Sequence, residues 1–413
     1  MKKDLFVTFL AEFVVLLSGI IVYKLAANLL GPEGFSEYAL CRRVVSFIHP
    51  VLLVGLGIGI PRYIAYAQSY SEEKVQDSYF IAGISIIIVV IVIFTLLSNT
   101  FSDLFANLFF GNSKYINLIF PINLMLIGLL LHAACYAYFR GKLLMIKANL
   151  FQIITMGFVP ILVFKISREI NQILALTGVI WVIISFFVLL LIIKDIRFDN
   201  MYIFPYAKKL LSFGIQRLPG EFGLAGLLTL PAIFTAHMAS VKEAGYVAFG
   251  ISLFNMIGAA FAPIGLILLP KASILLANKD RHSLRYYICI ILIGTVFLTV
   301  LGVITFEIFA DKIIVLYLGK GYEGLIYIVR IIIISSLAYT IYVTMRSVID
   351  AYYEMARNTV NIFIALCVFL LTSGLLVLAM KSYIALVYSF CLSIFCLGIL
   401  TVLEIRKIVD IDV

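Results

Sequence analysis

About twelve apolar stretches, each long enough to cross a lipid bilayer as a helix, make up most of this 413-residue chain. Hydrophobic residues account for 63% of the chain and charged residues for 13%, whereas a soluble domain has about 25% charged residues. The pattern therefore predicts an all-α polytopic membrane protein. Its transmembrane helices are expected at residues 5–29, 36–61, 79–98, 116–139, 149–166, 171–193, 207–236, 244–270, 286–308, 322–350, 358–379 and 382–404.

The basic residues between these stretches are unevenly distributed. Most of the lysines and arginines outside the apolar stretches fall in alternate loops, on the same side of the membrane as both chain termini. Cytoplasmic loops carry the excess of Lys and Arg in membrane proteins, so both termini are predicted to be cytoplasmic. The formal net charge of +9 is then a signal of topology, and no nucleic-acid partner is expected.

Two segments of the chain resemble each other and indicate an internal repeat. Residues 34–62 and 243–271 each contain a tyrosine near the start, a proline within the helix, and a proline followed by a basic residue at the end. Each segment is the second helix of a six-helix half. We therefore expect two six-helix bundles, residues 1–206 and 207–413, which enclose a central cavity and open it alternately to the two sides of the membrane.

The amino-terminal part of the chain contains a more specific motif. The sequence LLGPEGFSEY occupies residues 29–38, and GLGIGIPRYIA occupies residues 55–65. Together with the length, helix number and loop pattern of the whole chain, these segments resemble the polysaccharide-transporter branch of the MOP exporter superfamily. This branch comprises the Wzx-type flippases of O-antigen, capsule and exopolysaccharide repeat units. The multidrug antiporters of the superfamily usually lack the Gly-Pro-Glu-Gly turn, and its peptidoglycan-precursor flippases usually have more helices.

The resemblance implies a fold, a function and a location. The fold would be MATE-like, and the substrate would be an oligosaccharide linked to undecaprenyl pyrophosphate, which crosses the bacterial inner membrane by alternating access. The implied partners are this lipid-linked substrate, the membrane lipids and the polysaccharide polymerase machinery. No cofactor is expected apart from a coupling cation, H⁺ or Na⁺.

Cations within the apolar stretches are the first candidates for contact with the substrate, and they are Arg42, Arg217, Arg330, Arg43 and Lys24. An ionisable side chain inside a membrane helix costs about 2.5–3.5 kcal/mol on the insertion scale, so such residues are functional candidates by default. A guanidinium is permanently charged and binds phosphate through paired hydrogen bonds, which suits a pyrophosphate group. For Arg42, Arg43 and Lys24 the alternative is that their charged ends reach the nearby membrane interface.

Arg42 and Arg43 cannot both face one ligand, because adjacent helical residues point about 100° apart. Arg42 is the preferred candidate, since Ser46 and His49 share its helix face at offsets of four and seven residues. His49 precedes Pro50 and is also a candidate for proton coupling. The alternative for His49 is a structural role, packed on a kinked helix.

Two acidic residues, Glu12 and Glu221, are further candidates for ion or proton coupling. Glu221 follows Arg217 by one helical turn, so the two could form an ion pair. Pro219 lies between them, and a helix broken at this proline would instead suit a gate or an ion site. Glu12 lies two turns into the first helix, where solvation at the cytoplasmic interface is the alternative to a functional role.

Other classes of function are disfavoured by the sequence. No P-loop sequence for ATP is present, and the four histidines show neither metal-ligand spacing nor a Ser/His/Asp pattern. The loops are too short for a catalytic domain, so a membrane-embedded glycosyltransferase or any other enzyme is not expected. The main alternative is a cation-coupled exporter of drugs or metabolites from the same superfamily, which would need buried acids to outnumber buried cations.

Overall fold

The structure, a computed structural model, describes residues 2–69, 73–196, 203–278, 280–353 and 356–410. These residues form helices and connecting turns, without a β-strand. In chain order the α-helices are α1 (Lys2–Leu53), α2 (Leu56–Ser69), α3 (Glu73–Thr100), α4 (Ser102–Phe110), α5 (Ile119–Gly141), α6 (Met145–Gln152), α7 (Val159–Ile166), α8 (Ile170–Lys194), α9 (Ile203–Met238), α10 (Val241–Ala277), α11 (Arg281–Leu318), α12 (Glu323–Ile334), α13 (Ser336–Tyr352), α14 (Arg357–Met380) and α15 (Ile384–Asp410). A short 3₁₀ helix, Ser113–Leu118, precedes α5, and a π-helical turn, Ile153–Phe158, joins α6 to α7.

The predicted all-α membrane fold is confirmed. Among the described residues, ten helices are long and apolar enough to cross a membrane, and the number is eleven if α12 and α13, which are bent by 43° at the break between them, are counted as one span. α1 consists of two helices joined at Gly31, where φ is 67°, so it contains two of the predicted crossings. Large apolar side chains such as Leu316 and Leu378 are 82% and 77% exposed, which a lipid solvent tolerates and water does not favour.

The second predicted crossing, residues 36–61, is wrong in one respect, because it is not a continuous helix. α1 ends at Leu53 and α2 begins at Leu56, and the two residues between them have a positive φ, 48° at Val54 and 66° at Gly55. This backbone conformation is costly for a β-branched residue such as valine. The break brings Gly55 against α9, where a Cβ built on Gly55 would lie only 2.8 Å from the Cα of Gly214.

The tenth predicted crossing, residues 322–350, is also interrupted. α12 ends at Ile334 and α13 begins at Ser336. Ser335 lies between them, fully buried, and its Oγ donates to the carbonyl of Ile332 at 2.6 Å. A serine that bonds back to its own helix competes with the backbone ladder and often bends the helix.

Contacts between helices divide the chain into two compact units, which we call unit 1 (residues 1–225) and unit 2 (residues 226–413). α9 contributes its first part to unit 1 and its last part to unit 2. The predicted pair of six-helix bundles, with a boundary after residue 206, stays a prediction.

In unit 1, α5 and α8 pack with their backbones in close contact. A Cβ on Gly178 of α8 would lie 2.5 Å from the carbonyl carbon of Leu124, and a Cβ on Gly128 of α5 would lie 2.6 Å from the Cβ of Trp181. Small residues allow membrane helices to approach each other in this way. The contact places Trp181, the single tryptophan of the chain, inside unit 1.

In unit 2, α13 packs against α10 and α15. A Cβ on Gly398 of α15 would lie 2.8 Å from the Cβ of Ala338, and Gly258 of α10 lies directly against the ring of Tyr339. The hydroxyl of Tyr339 donates to the side chain of Asn255 at 3.1 Å. Small residues and one partly buried hydrogen bond therefore set the spacing of these three helices.

Candidate functional site

The π-helical turn between α6 and α7 leaves one backbone carbonyl without its regular partner. In this turn the N–H of Val159 donates to the carbonyl of Ile154, five residues earlier. The next bond of the same kind would run from residue 160 to Thr155, but residue 160 is a proline and has no N–H. The carbonyl of Thr155 therefore loses the donor that the turn would supply. π-helical turns occur frequently at functional sites.

Two side chains from neighbouring helices donate to carbonyls of this turn. Nε1 of Trp181, on α8, donates to the carbonyl of Thr155 at 2.6 Å, and Oγ of Ser18, on α1, donates to the carbonyl of Gly157 at 2.5 Å. Both side chains are buried. Because a buried carbonyl without a partner costs about 1–3 kcal/mol, these bonds hold α1, α8 and the turn together around one space.

This space is a cavity of about 260 Å³ inside unit 1. Its walls come from α1, α5, α7, α8 and the π-helical turn, and its polar lining consists of Ser18, Arg42, Ser46, His49 and the indole of Trp181. No acidic residue is part of the lining in the ranges that the structure describes. Small-molecule sites generally enclose about 300–1,000 Å³, so this cavity suits one small group, such as a sugar ring or a diphosphate. We call it the Arg42 cavity.

Arg42 is held in the cavity wall by neutral partners. Its Nη1 donates to the hydroxyl of Tyr38 at 3.2 Å, and its Cζ lies 5.9 Å from the ring centroid of Tyr38 and 6.0 Å from that of Tyr23. Aromatic faces at this distance attract a cation electrostatically. No carboxylate of a described residue forms an ion pair with Arg42, so its positive charge is available to an anion in the cavity.

His49 lies one turn beyond Ser46 on the same wall. Its Nε2 is buried and has no hydrogen-bond partner within the described ranges. The same is true of Nε2 of His132, on α5, whose ring stacks on Phe151 at 4.5 Å. The two imidazoles are close enough to interact electrostatically. Sequence spacing did not indicate this proximity, because α1 and α5 meet only in the tertiary structure.

Three other predicted residues of unit 1 do not line the Arg42 cavity. Arg43 is buried on another face of α1, as expected for the residue adjacent to Arg42, and Lys24 is exposed. Glu12 is exposed, and its carboxylate accepts a hydrogen bond from Nε2 of Gln152 at 3.1 Å. The structure therefore separates these three residues from the cavity that contains Arg42 and His49.

The pair predicted on α9 is looser than an ion pair. Arg217 is exposed, and its Cζ lies 5.4 Å from the ring centroid of Phe213. Glu221 is half-buried and interacts electrostatically with Arg217, but their charged atoms do not approach within the 4.0 Å of an ion pair. The helix does not break at Pro219, since α9 continues to Met238.

Arg330, on α12 of unit 2, is paired with two carboxylates of α11. Its Nη2 lies 2.5 Å from Oδ2 of Asp311, and its Nε lies 3.9 Å from Oε2 of Glu307. Sequence reasoning missed both acids. A signal was present, because residues 307 and 311 are four apart and share one face of a helix. The contact with Arg330, however, joins two different helices.

A metal-binding cluster is not found in the part of the chain that the structure describes. No group of three or more His, Cys, Asp or Glu side chains is arranged there to hold a metal ion. The described lining of the Arg42 cavity offers a ligand the guanidinium of Arg42, the hydroxyls of Ser18 and Ser46, and the indole of Trp181.

Comparison with solved structures identifies the architecture. An inward-facing multidrug resistance MATE family transporter of the MOP superfamily matches with a TM-score of 0.79 and 12% identity, over 98% of each chain. The lipid II flippase MurJ, in an inward closed conformation, matches with a TM-score of 0.74 and 15% identity, over 98% of this chain and 88% of the other. The fold is that of the MOP superfamily transporters.

A MOP superfamily transporter from Pyrococcus furiosus also matches, with a TM-score of 0.69 and 14% identity, over 99% of this chain and 96% of the other. No protein-family model and no curated protein matches the sequence. The two neighbours above are described as a transporter and a flippase. Because the identities are low, these likenesses establish a multi-pass membrane protein with a transporter fold, and they do not establish its substrate.

Proposed function

We propose that the protein is a Wzx-type flippase that moves an oligosaccharide linked to undecaprenyl pyrophosphate across the bacterial inner membrane by alternating access. The observation that carries this proposal is the Arg42 cavity, which holds a permanent cation without a lining carboxylate. An organic cation would require a counter-charge at such a place, whereas a diphosphate is attracted to it. The hydroxyls of Ser18 and Ser46 and the indole of Trp181 suit a sugar ring beside the diphosphate.

Two of the solved neighbours are compatible with such cargo. MurJ is described as a flippase of lipid II. The Pyrococcus furiosus transporter is described as having a binding pocket of reverse polarity, which suggests a different function for that protein. The fold therefore accommodates pockets of different charge. The GPEG turn of this chain, at residues 31–34, supports the polysaccharide branch.

The remaining predicted residues receive secondary roles in this proposal. Arg217 is exposed and has no ion-pair partner within 4.0 Å among the described residues, so it can contribute charge along the transport path. Arg330 contributes less, because Asp311 and Glu307 neutralise it. Arg43 and Lys24 contribute only if they approach the substrate in another conformation.

His49 is the best candidate for coupling transport to H⁺. Its buried Nε2 makes no hydrogen bond to a described residue, and His49 shares a cavity wall with Arg42. A proton taken up there would change the charge of the cavity directly. Glu12 and Glu221 are weaker candidates, since the first already accepts a hydrogen bond from Gln152 and the second interacts with Arg217.

The test is a transport assay in liposomes. The protein is reconstituted with a polyprenyl-diphosphate oligosaccharide, and exposure of the glycan on the opposite leaflet is measured with a membrane-impermeant lectin. We expect Arg42→Ala to lower the rate at least tenfold and Arg42→Lys to restore part of it, because an ammonium lacks the paired donors of a guanidinium. Arg168→Ala is the matched control, since Arg168 is an exposed arginine of the same unit. Equal rates for the wild type and the Arg42→Ala variant would refute the assigned role.

The second candidate is a cation-coupled exporter. It is favoured by the match to a multidrug resistance MATE family transporter and by the two carboxylates, Glu307 and Asp311, on α11. The same liposomes can be loaded with a cationic dye and given a pH gradient. Dye efflux that is lost in a Glu307→Gln variant, without any glycan translocation, would favour the exporter over the flippase.

A further inference from the structure

A second group of cations surrounds an open cleft at the start of α9. The cleft has a volume of about 400 Å³ and is lined by Tyr63 of α2 and by Lys208, Lys209, Ser212, Phe213 and Gln216 of α9. We call it the α2–α9 cleft. It lies within unit 1 and shares no lining residue with the Arg42 cavity.

Aromatic rings hold the cations around this cleft. The Cζ atoms of Arg62 and Arg217 lie 4.9 Å and 5.4 Å from the ring centroid of Phe213. The Nζ of Lys209 lies 5.0 Å from the ring centroid of Tyr63. Two neighbouring rings thus contact three cations. Each cation–π contact at an exposed site contributes about 0.5–1 kcal/mol of attraction.

Among the described residues, the cluster has no carboxylate counter-charge within ion-pair distance. Within the same ranges no acidic residue lines the cleft, and no carboxylate forms an ion pair with Arg62, Lys208, Lys209 or Arg217. Glu221 acts on Arg217 only over a longer distance. Like charges repel each other, so four cations without a described carboxylate partner around one cleft favour the binding of an anion.

We propose that the α2–α9 cleft binds the diphosphate group of the lipid-linked substrate at the membrane surface. It would be the initial binding site, which the substrate occupies before it enters the Arg42 cavity. This inference rests on the proposed flippase function. A diphosphate concentrates several negative charges in a small volume and can accept paired hydrogen bonds from guanidinium groups. Ser212 and Gln216 lie one helical turn apart in the lining and add neutral donors.

The position of the cleft agrees with this role. Arg62, Lys208 and Lys209 belong to the side of the membrane that carries most of the basic loop residues, which is the side predicted to be cytoplasmic. A substrate assembled on that side would meet the cleft first. Anionic phospholipids offer the same phosphate chemistry at the same surface, so the experiment must separate the two sources.

The experiment measures binding of radiolabelled inorganic pyrophosphate to the purified full-length protein in detergent at low and high salt. The test variant is Lys208→Gln/Lys209→Gln. The matched control is Lys147→Gln/Lys194→Gln, which removes the same charge from two exposed lysines of the same unit and the same predicted side. We expect the test variant to bind at least tenfold more weakly and the control to stay within twofold of the wild type. An equal effect of the two variants, or no effect of either, would overturn the proposal.

Competition then identifies the source of the phosphate. A short-chain polyprenyl diphosphate is expected to displace the labelled pyrophosphate at concentrations at least tenfold below those of phosphatidylglycerol in bicelles. Equal displacement at equal phosphate concentration would reject the lipid-linked substrate and identify a phospholipid site.

The liposome assay separates this inference from the function on which it rests. Pyrophosphate binding that depends on Lys208 and Lys209, in a protein that fails to translocate the glycan, would reject the flippase function and not the anion site. Glycan translocation at the wild-type rate by the Lys208→Gln/Lys209→Gln variant would show that the cleft is not an initial binding site for the substrate, and it would leave the flippase function intact.

Discussion

The hydrogen bond between Trp181 and the carbonyl of Thr155 should be a principal support of the Arg42 cavity. Nε1 of Trp181 lies 2.6 Å from this carbonyl, and the ring is only 3% exposed. The carbonyl lacks a donor from its own turn because residue 160 is Pro160. Trp181→Phe keeps an aromatic ring at the position and removes the donor, so the carbonyl of Thr155 would be left buried and unpaired.

The expected cost has two components. An orphaned buried carbonyl costs about 1–3 kcal/mol in soluble proteins, and hydrogen bonds between membrane helices contribute about 0.6 kcal/mol on average and up to about 1.7 kcal/mol. The smaller phenyl ring leaves a void, and a void of methyl size costs about 1 kcal/mol. We therefore expect Trp181→Phe to lower the free energy of unfolding by about 2 kcal/mol.

A double-mutant cycle isolates the hydrogen bond from the void. Pro160→Ala restores an N–H that can donate to the carbonyl of Thr155, so Trp181→Phe should cost about 1 kcal/mol less in the Pro160→Ala background than in the wild type. The measurement is reversible unfolding in mixed micelles with SDS, followed by circular dichroism, because Trp181 is the single tryptophan and fluorescence would disappear with it. Costs that add within about 0.5 kcal/mol would show that the two sites are independent and would refute the assignment of Trp181 as the replacement donor.

Further predictions concern the backbone contact, the ion pair and the topology. Gly214→Ala should lower the yield of folded protein sharply, because the new methyl group would collide with the carbonyl of Val54, whereas Gly302→Ala, with open space around it, should be neutral or stabilising in the same detergent-extraction assay. Asp311→Asn should lower the free energy of unfolding by less than about 1 kcal/mol, since the pair with Arg330 is partly exposed, and a loss above about 2 kcal/mol would mean that the pair is shielded from solvent. A reporter fused to the carboxyl terminus should be active only if the reporter requires the cytoplasm, and periplasmic activity would contradict the predicted orientation.

Helix positions in this protein could be predicted from the sequence with good accuracy, because each depends on the composition of one continuous segment. The predicted crossings at residues 149–166 and 382–404, for example, correspond to the helical segments 145–166 and 384–409. The break at Ser335 accompanies a local bond to the carbonyl of Ile332, whereas the break at Val54 and Gly55 falls where a tertiary contact acts on the backbone. Val54 has a left-handed conformation that its side chain disfavours, and the contact of Gly55 with Gly214 of α9 accompanies it.

The candidate site could be predicted only in part. The shared helix face of Arg42, Ser46 and His49 follows from their spacing, and the structure places all three in one cavity wall. The opposite wall could not be predicted in this way. Trp181 lies 139 residues from Arg42 in the chain, and the composition around it indicates only a membrane helix.

The sequence alone is sufficient to infer that the solvent of this protein is lipid, where its membrane helices approximately lie, and which residues share a helix face, because these properties follow from the period and length of local apolar patterns. The pairing of the polar groups, in contrast, depends on how the helices pack. Trp181 donates a hydrogen bond to the carbonyl of Thr155, and Arg330 forms an ion pair with Asp311. Cations of α2 and α9 lie against the rings of Tyr63 and Phe213. Each of these contacts joins segments that are distant in the chain, and their distance is set by the close packing of helices around them.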